Sequence, residues 1–357
     1  MRITAICREA WRDIITGTTG TVVFGTLLSI IIAGLTFLDL TTITGLNHQA
    51  QQYRSSMASV TVLQAPGRID GAACEALNQL PGAQAAAVRP ALEPLVAAHL
   101  PGTTMQTYEA TPSIGHVLRA TPGSPGGIYL SRTVADQLAL DETSTINLTT
   151  AAVPVTGIFE WDETDGRPPG YGYSSFVPTA TQRPFDECWL DTWPINPRAQ
   201  ADLNYALLPA ADEDQPATKS FQLNTTHGAT FDGPKLFDQR PTRYVPVPIA
   251  ILSFALGFLA VRRRKLEIAS DLHAGVPRAD LTLKHLLETA SWASVALIAT
   301  TPAAALLITA NHPTDTTSLL ALAITHLATG LTSTFLGGLV ALTLTRESHL
   351  NRYFKTR

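Results

Sequence analysis

The side chains of this chain that could support chemistry are few: His326, the pair His312 and Asp315, two short glycine-rich stretches, three cysteines, and the run Arg262-Arg263-Arg264-Lys265. Proton transfer at His326 would need a carboxylate. Its neighbours are Thr325, Thr329 and Thr332, and no apolar stretch offers an acidic partner, so a hydrogen-bonded packing imidazole is the favoured reading and a proton relay is not expected. Phosphate chemistry would need G-x-x-x-x-G-K-[ST], which is absent: Gly17 to Gly20 (GTTG) lacks the lysine, and Gly123 to Gly127 (GSPGG) lacks both the lysine and a following helix. His312 and Asp315 lack a third ligand, so a solvated turn is favoured over a metal site. No catalytic residue, no bound metal and no enzyme activity are expected of this polypeptide.

The elements that hold these residues are read from apolar runs. The chain has 357 residues, 45% hydrophobic and 15% charged, with a net charge of −4 and a mean hydropathy of +0.12. That intermediate hydropathy predicts a mixed architecture, and the acidic balance gives no support to nucleic-acid binding. Thr21 to Leu38 (TVVFGTLLSIIIAGLTFL) carries no charge and meets the roughly 17 to 25 residues needed to cross about 30 Å of hydrocarbon. It is too long for a signal-peptide core and runs into Asp39 with no small-residue cleavage site. Further spans follow at Tyr244 to Val261, with Pro246 and Pro248 confined to its first turn, at Thr289 to Ala310, with a kink expected at Pro302, and at Leu319 to Leu344.

Cations set the orientation. With the N-terminus inside, Arg2, Arg8, Arg12, Arg262 to Lys265, Arg278, Lys284, Arg346, Arg352, Lys355 and Arg357 are all cytoplasmic. Arg262, Arg263, Arg264 and Lys265 then read as inner-face anchors. The expected organisation is an amphipathic cytoplasmic helix (1–18), a first span (19–40), an extracytoplasmic domain (41–243), a second span (244–261), a cytoplasmic segment (262–288), a third span (289–310), an outer loop (311–318), a fourth span (319–345) and a cytoplasmic tail (346–357). The fold class is thus a membrane protein with four transmembrane α-helices and an α+β extracytoplasmic domain between the first and second, placed in the cell (plasma) membrane with both termini cytoplasmic. Thr21, Gly25, Ser29 and Ala33 recur every four residues on the first span, a small-residue row that lets another helix approach, as does Gly337-Gly338 on the fourth.

Within the outer domain, Gly127 to Asp162 reads as a strand, a helix capped by Ser131, and two short alternating strands. Cys74 and Cys188 both fall in this domain, and oxidising surroundings favour a disulfide over two buried free thiols; Cys7 is cytoplasmic. Trp161 to Tyr173 (WDETDGRPPGYGY) reads as a flexible surface loop in preference to a partner-binding one. Asn147 and Asn224 match the glycosylation acceptor pattern.

After the anchor, Leu266 to Ala274 continues helically, Gly275 suits a left-handed cap, and Pro277 suits the first position of a new helix with Asp280 in its first turn. A passive connection would not need such a corner. Basic run, short helix, Gly275-Val276-Pro277-Arg278 corner and Glu288 together resemble the cytoplasmic loop of MacB/FtsX-type ABC transporter permeases, although Pro277 stands where Ser or Thr is usual. The start Arg8-Glu9-Ala10-Trp11-Arg12-Asp13-Ile14 resembles the amphipathic elbow helix of these permeases, and Gly127 to Asp162 resembles a module of the MacB-type core domain.

The resemblance implies a permease subunit that transmits ATP-driven motion of a separate ABC-type ATPase to the extracytoplasmic domain, for export or extraction of a substrate at the membrane. Gly275, Val276, Pro277, Arg278 and Glu288 would be the ATPase-coupling residues. ATP and Mg would sit on the partner ATPase, with no cofactor on this chain. Expected partners are that ATPase, a second permease copy or paralogue, membrane lipids and an extracytoplasmic protein. The alternatives are an FtsX-like regulator of an extracytoplasmic cell-wall enzyme, or a membrane-anchored binding or structural module without ATPase.

Overall fold

The computed structural model describes residues 3–180, 183–209, 216–310 and 316–349. The expectations for His312 and Asp315 and for the cations at 2, 352, 355 and 357 lie outside these residues. The chain divides into two compact units, Met1–His48 with Pro234–Arg357, and Gln49–Gly233.

The first unit is helical: α1 (Ile3–Ile15), α2 (Thr21–Ser55, its end belonging to the second unit), α3 (Pro246–Arg263), α4 (Lys265–His273), α5 (Arg278–Ala310) and α6 (Thr316–Thr343). Four of these helices, α2, α3 with the turn before it, α5 and α6, are long and apolar enough to cross a membrane, which makes the chain a multi-pass membrane protein. Two helices overrun the limits read from hydropathy. The 35 residues of α2 extend about 52 Å, well past position 40. Thr41, Thr42 and Thr44 return their hydroxyls to backbone carbonyls there, so polar residues continue the helix without breaking it. Likewise α5 begins at Arg278, so the segment 262–288 contains its first turns, and it remains one helix through Pro302.

Glycine decides how closely α3 and α6 pack. A Cβ at Gly257 would lie 2.1 Å from the Thr334 carbonyl oxygen, and one at Gly337 would lie 2.0 Å from that of Phe254. Both contacts are backbone to backbone, so no side chain can yield. The row on α2 meets its neighbour within the chain: a Cβ at Gly25 would touch Val295 and the Trp292 carbonyl of α5, at 3.0 and 3.1 Å. Ser29 returns its hydroxyl to Gly25, and Ala33 lines an apolar groove with residues of α5 and α6.

The second unit is built on one mixed sheet. Its strands are β1 (Val60–Ile69), β2 (Ala83–Pro90), β3 (Leu95–Val96), β4 (Thr104–Ala110), β5 (Thr121–Pro122), β6 (Ile128–Ser131), β7 (Thr145–Asn147), β8 (Ala152–Phe159), β9 (Ser174–Pro178), β10 (Phe185–Thr192) and β11 (Lys219–Gln222). The order is β11-β1-β10-β2-β4-β9-β6-β8-β5, with β3 on β4 and β7 on β8. Pairs β4/β9 and β6/β8 are parallel, and the others are antiparallel. Short helices between the strands complete an α+β domain. On β10, Trp189 enters an aromatic cluster with Tyr108, Phe159, Trp161 and Phe176, while Cys188 and Leu190 enter an aliphatic cluster on the opposite face. This period of two places buried side chains on both faces of the strand, so both faces of the sheet are covered there.

Three expectations for this domain are corrected by its packing. Trp161 to Tyr173 is not a free loop: Trp161 and Tyr171 are part of the aromatic cluster, the Trp161 indole donates to the Pro168 carbonyl at 3.0 Å, and Arg167 donates to the carbonyls of Glu160 and Ser55. Asn224 is no glycosylation acceptor in the folded chain, because its buried amide donates to the carbonyls of Ser56 and Asp165, whereas Asn147 is exposed. Ser131 occupies the N-cap position of the helix Arg132–Gln137, but its hydroxyl makes no cap bond and accepts instead from the backbone N–H of Ser174.

Candidate functional site

The helix before the corner ends as its residues require. Gly275 has φ +86°, the Val276 N–H donates to the Asp271 carbonyl and the Gly275 N–H to that of Leu272, the pair of bonds that define a Schellman cap. Val276 then packs with Leu272, Ile268 and Leu281, the apolar contact that accompanies such caps. Pro277 accepts at its carbonyl from Asp280 and Leu281, so it stands just outside α5 and not in its first turn. Gly275, Pro277 and Arg278 are exposed, and nothing lies within 4 Å of a Cβ built on Gly275. A bare corner of backbone and one free-standing guanidinium stem face outward.

Along α4 and α5, away from the corner, lies a charge network between residues far apart in the sequence. Arg264, at the break between α3 and α4, donates to Asp13 of α1 at 2.8 Å, to Glu288 of α5 at 2.7 Å and to Glu267 of α4. Lys284 of α5 donates to Glu9 at 2.8 Å and lies 3.0 Å from Asp13. His285 Nδ1 is 2.8 Å from Glu288. Three helices are thereby tied by charge-assisted bonds, with Arg264 and Lys284 nearly buried. Burial works against the Arg264 cation, but hydrogen bonds to Glu267 and Glu288 outweigh it and hold the guanidinium charged. Burial likewise works against the Asp13 and Glu267 carboxylates, and the hydrogen bonds from Lys284 and Arg264 outweigh it, leaving both below the ordinary carboxylate range.

The predicted site residues therefore part into two groups. Gly275, Pro277 and Arg278 form the exposed corner, and Val276 is its half-buried pin. Glu288 does not belong to that surface; it is 4% exposed and is the inner terminus of the network. The four cations also divide. Arg262 and Arg263 lie over the rings of Phe258 and Phe24, at 5.9 and 5.6 Å, and Lys265 is half-buried, whereas Arg264 is no anchor but the hub of the network. The signal that could have shown this was Glu9 and Asp13, one helical turn apart on a helix that otherwise reads as amphipathic. The rest of α1 fits that reading: Ile6 and Ala10 are buried, while Ile3, Cys7, Trp11 and Ile15 form an exposed stripe.

No family model matches the chain, and no curated protein matches it. Solved structures do. The periplasmic region of MacB from Actinobacillus actinomycetemcomitans is 10% identical at a TM-score of 0.32, covering 43% of this chain and 84% of that one. A domain of a putative permease protein from Porphyromonas gingivalis is 11% identical at a TM-score of 0.32, covering 52% of this chain and 99% of that one. Likenesses of this size leave any functional reading to rest on the chain's own residues.

A second polar cluster corrects the reading of His326. Asp39 of α2 is 1% exposed, accepts from Arg240 Nε at 3.1 Å, and lies 3.7 Å from His326 Nε2. The imidazole does have a carboxylate neighbour, contributed by the residue just past the first apolar run. At 3.7 Å the two are not hydrogen-bonded, and Asp39 Oδ2 and His326 Nδ1 have no partner among the described residues. Asp39→Asn should lower the stability of the helical unit by about 3 kcal/mol, because the nearly buried Arg240 loses its counter-charge. Thermal unfolding of the full chain in mild detergent checks this; an unchanged midpoint would show the pair to be dispensable.

Cys74, in the short helix Gly71–Ala76, and Cys188 of β10 are joined as a disulfide with Cα atoms 6.0 Å apart, both sulfurs inside the aliphatic cluster. It is structural: it pins the helix to the centre of the sheet. Among the described residues no cluster of three or more His, Cys, Asp or Glu has the arrangement of a metal site.

Proposed function

We propose that the chain is the permease subunit of a MacB/FtsX-like ABC system, with the Gly275 corner as the surface on which a separate cytoplasmic ATPase docks. The observation that carries this reading is the combination of a bare, exposed corner with a charge network that ties α1, α4 and α5 together further along the two helices that meet at it. A contact that merely joined two spans would need neither. Pushed from outside, the Schellman corner loads α4 and α5, and because Arg264, Lys284 and Glu288 tie those helices to α1, the three move together and displacement reaches the membrane-spanning helices.

In this reading the termini and the corner are cytoplasmic, the sheet domain is extracytoplasmic, and the protein is a transport subunit and not an enzyme. ATP and Mg are bound by the ATPase, and a second permease copy or paralogue completes the complex. The cationic face of the segment 262–284 suits the inner membrane surface.

The test is co-purification with an ATP-binding-cassette ATPase encoded beside the gene, followed by Arg278→Glu and Gly275→Trp in the reconstituted complex. Each variant should lose at least about ten-fold in stimulated ATPase activity, the equivalent of about 1.4 kcal/mol of coupling, while membrane insertion and the detergent unfolding midpoint of Arg278→Glu stay as in the parent. Full stimulation in both variants would remove the corner as the docking site.

A further inference from the structure

Where α2, α6 and the turn before α3 meet, the helical unit buries Asp39, His326 and Arg240, at 1, 2 and 9% exposure. Arg240 donates from Nε to Asp39 Oδ1 at 3.1 Å and from Nη1 to the Phe237 carbonyl at 2.8 Å, and it lies over the Phe237 ring. This matches the charge of Asp39 and occupies one of its oxygens. Asp39 Oδ2 has no hydrogen-bond partner among the described residues, nor has His326 Nδ1, and Oδ2 faces His326 Nε2 across 3.7 Å, beyond bonding range. Thr36, one turn before Asp39, and Thr242, two positions after Arg240, also carry unpartnered buried hydroxyls. Of the nine buried side-chain atoms without a partner among the described residues, four thus belong to this one place, so the deficit is local and not scattered.

We infer that this cluster is a binding site for one ordered water molecule, which donates to Asp39 Oδ2 and accepts from His326 Nε2. The chemistry of the donors narrows the choice. A second cation, whether a metal ion or a doubly protonated imidazole, would give the carboxylate two positive neighbours and leave a net positive charge beside the buried Leu40 and Ile43. An anion would face Asp39 itself. What remains is a neutral ligand that both donates and accepts. Two atoms 3.7 Å apart can share one oxygen that lies about 2.8 Å from each, and a single oxygen with two protons and two lone pairs serves a carboxylate that only accepts and a ring nitrogen that donates.

Buried waters make about three hydrogen bonds each, and α2 offers the third. Thr41, Thr42 and Thr44 of this helix return their hydroxyls to carbonyls four residues earlier. Thr36, 6% exposed and a helical neighbour of Asp39 at the three-residue spacing, does not, and its Oγ1 has no partner among the described residues. A buried hydroxyl left in that state is costly, and the water removes the cost for Thr36 and Asp39 together. The bridge also sets the tautomer of His326: the proton sits on Nε2, and Nδ1 is an acceptor.

This inference rests on the helical unit alone and is independent of any ATPase. The full chain, with isotope-labelled histidine, leucine and isoleucine, is reconstituted in phosphatidylcholine bilayers, and magnetisation transfer from water to the protein is read by solid-state NMR. Loss of one imidazole signal in His326→Gln assigns the ring. The Nε2–H of His326 should receive magnetisation from water although the residue is 2% exposed, whereas the side chains of Leu40 and Ile43, buried on α2 at 1 and 5%, should not. Thr36→Val, which keeps the shape and removes the hydroxyl, should lower the transfer about five-fold, as loss of one hydrogen bond to the water provides. Thr36→Ser, which keeps the hydroxyl, should retain it in full. No transfer at His326, a ring protonated on both nitrogens, or a transfer that Thr36→Val leaves at the parent level would overturn the assignment.

Discussion

Arg264→Ala should destabilise the helical unit by about 3 to 5 kcal/mol, the range for removing one partner of a buried ion network. One side chain serves Asp13, Glu267 and Glu288, and its loss removes the cation that faces the buried Glu288. A surface anchor of the second span would behave differently, since an exposed cation contributes at most about 1 kcal/mol. The measurement is unfolding of the full chain in mild detergent, with Arg262→Ala as the comparison; equal and small shifts in both would show that Arg264 is an anchor after all. Lysine at position 264 should not rescue it, because an ammonium cannot present the planar fork that reaches three carboxylates from one position.

The same network predicts a pH dependence of definite sign. Asp13 and Glu267 are held below their ordinary values in the folded chain, so they favour the folded state at any pH above the unfolded carboxylate value of about 4. That contribution is lost as pH falls below about 4 and through their folded values. It should be reduced in Arg264→Ala, where Lys284 still lowers Asp13, so its stability ought to fall less steeply on acidification.

Loss of the Cys74–Cys188 bond should have an effect of similar or greater size on the sheet domain. The bond links residues 114 apart in the sequence. Closing so long a loop removes about 5 kcal/mol of freedom from the unfolded chain in the entropy account of disulfides. Cys74→Ala with Cys188→Ala leaves two small side chains in a cluster already rich in alanine, so the packing loss is modest and the loop term dominates. Unfolding of the reduced and oxidised protein should therefore differ by more than 10 °C for a domain of this size. Coincident melts would show that the crosslink contributes nothing, and the helix Gly71–Ala76 would then be held by packing on Phe185 and Leu77 alone.

What composition and spacing decided for this chain are properties that a short window can carry. Four apolar runs meet the length of the hydrocarbon core whatever lies around them, and Gly275 before Pro277 dictates a left-handed cap followed by a new helix because the dihedral preferences of those two residues are their own. The order of strand, helix, strand and strand after Gly127 is equally local. What only the folded chain decided is the choice of partners. Arg264 finds Asp13 across 251 positions, Lys284 finds Glu9 across 275, and Arg240 finds Asp39 across 201. Each looked like something simpler in isolation: an anchor, an inside cation, a polar residue after a span. A charge selects its counter-charge by distance in space and by the cost of being left without one when water is excluded. Neither quantity has a period in sequence. The same reason places Glu288 inside the brace and not on the corner, and turns the loop from Trp161 to Tyr173 inward. Its aromatic rings have a buried cluster to join, and that cluster exists only once β10, β2, β4 and β9 are ranged in one sheet.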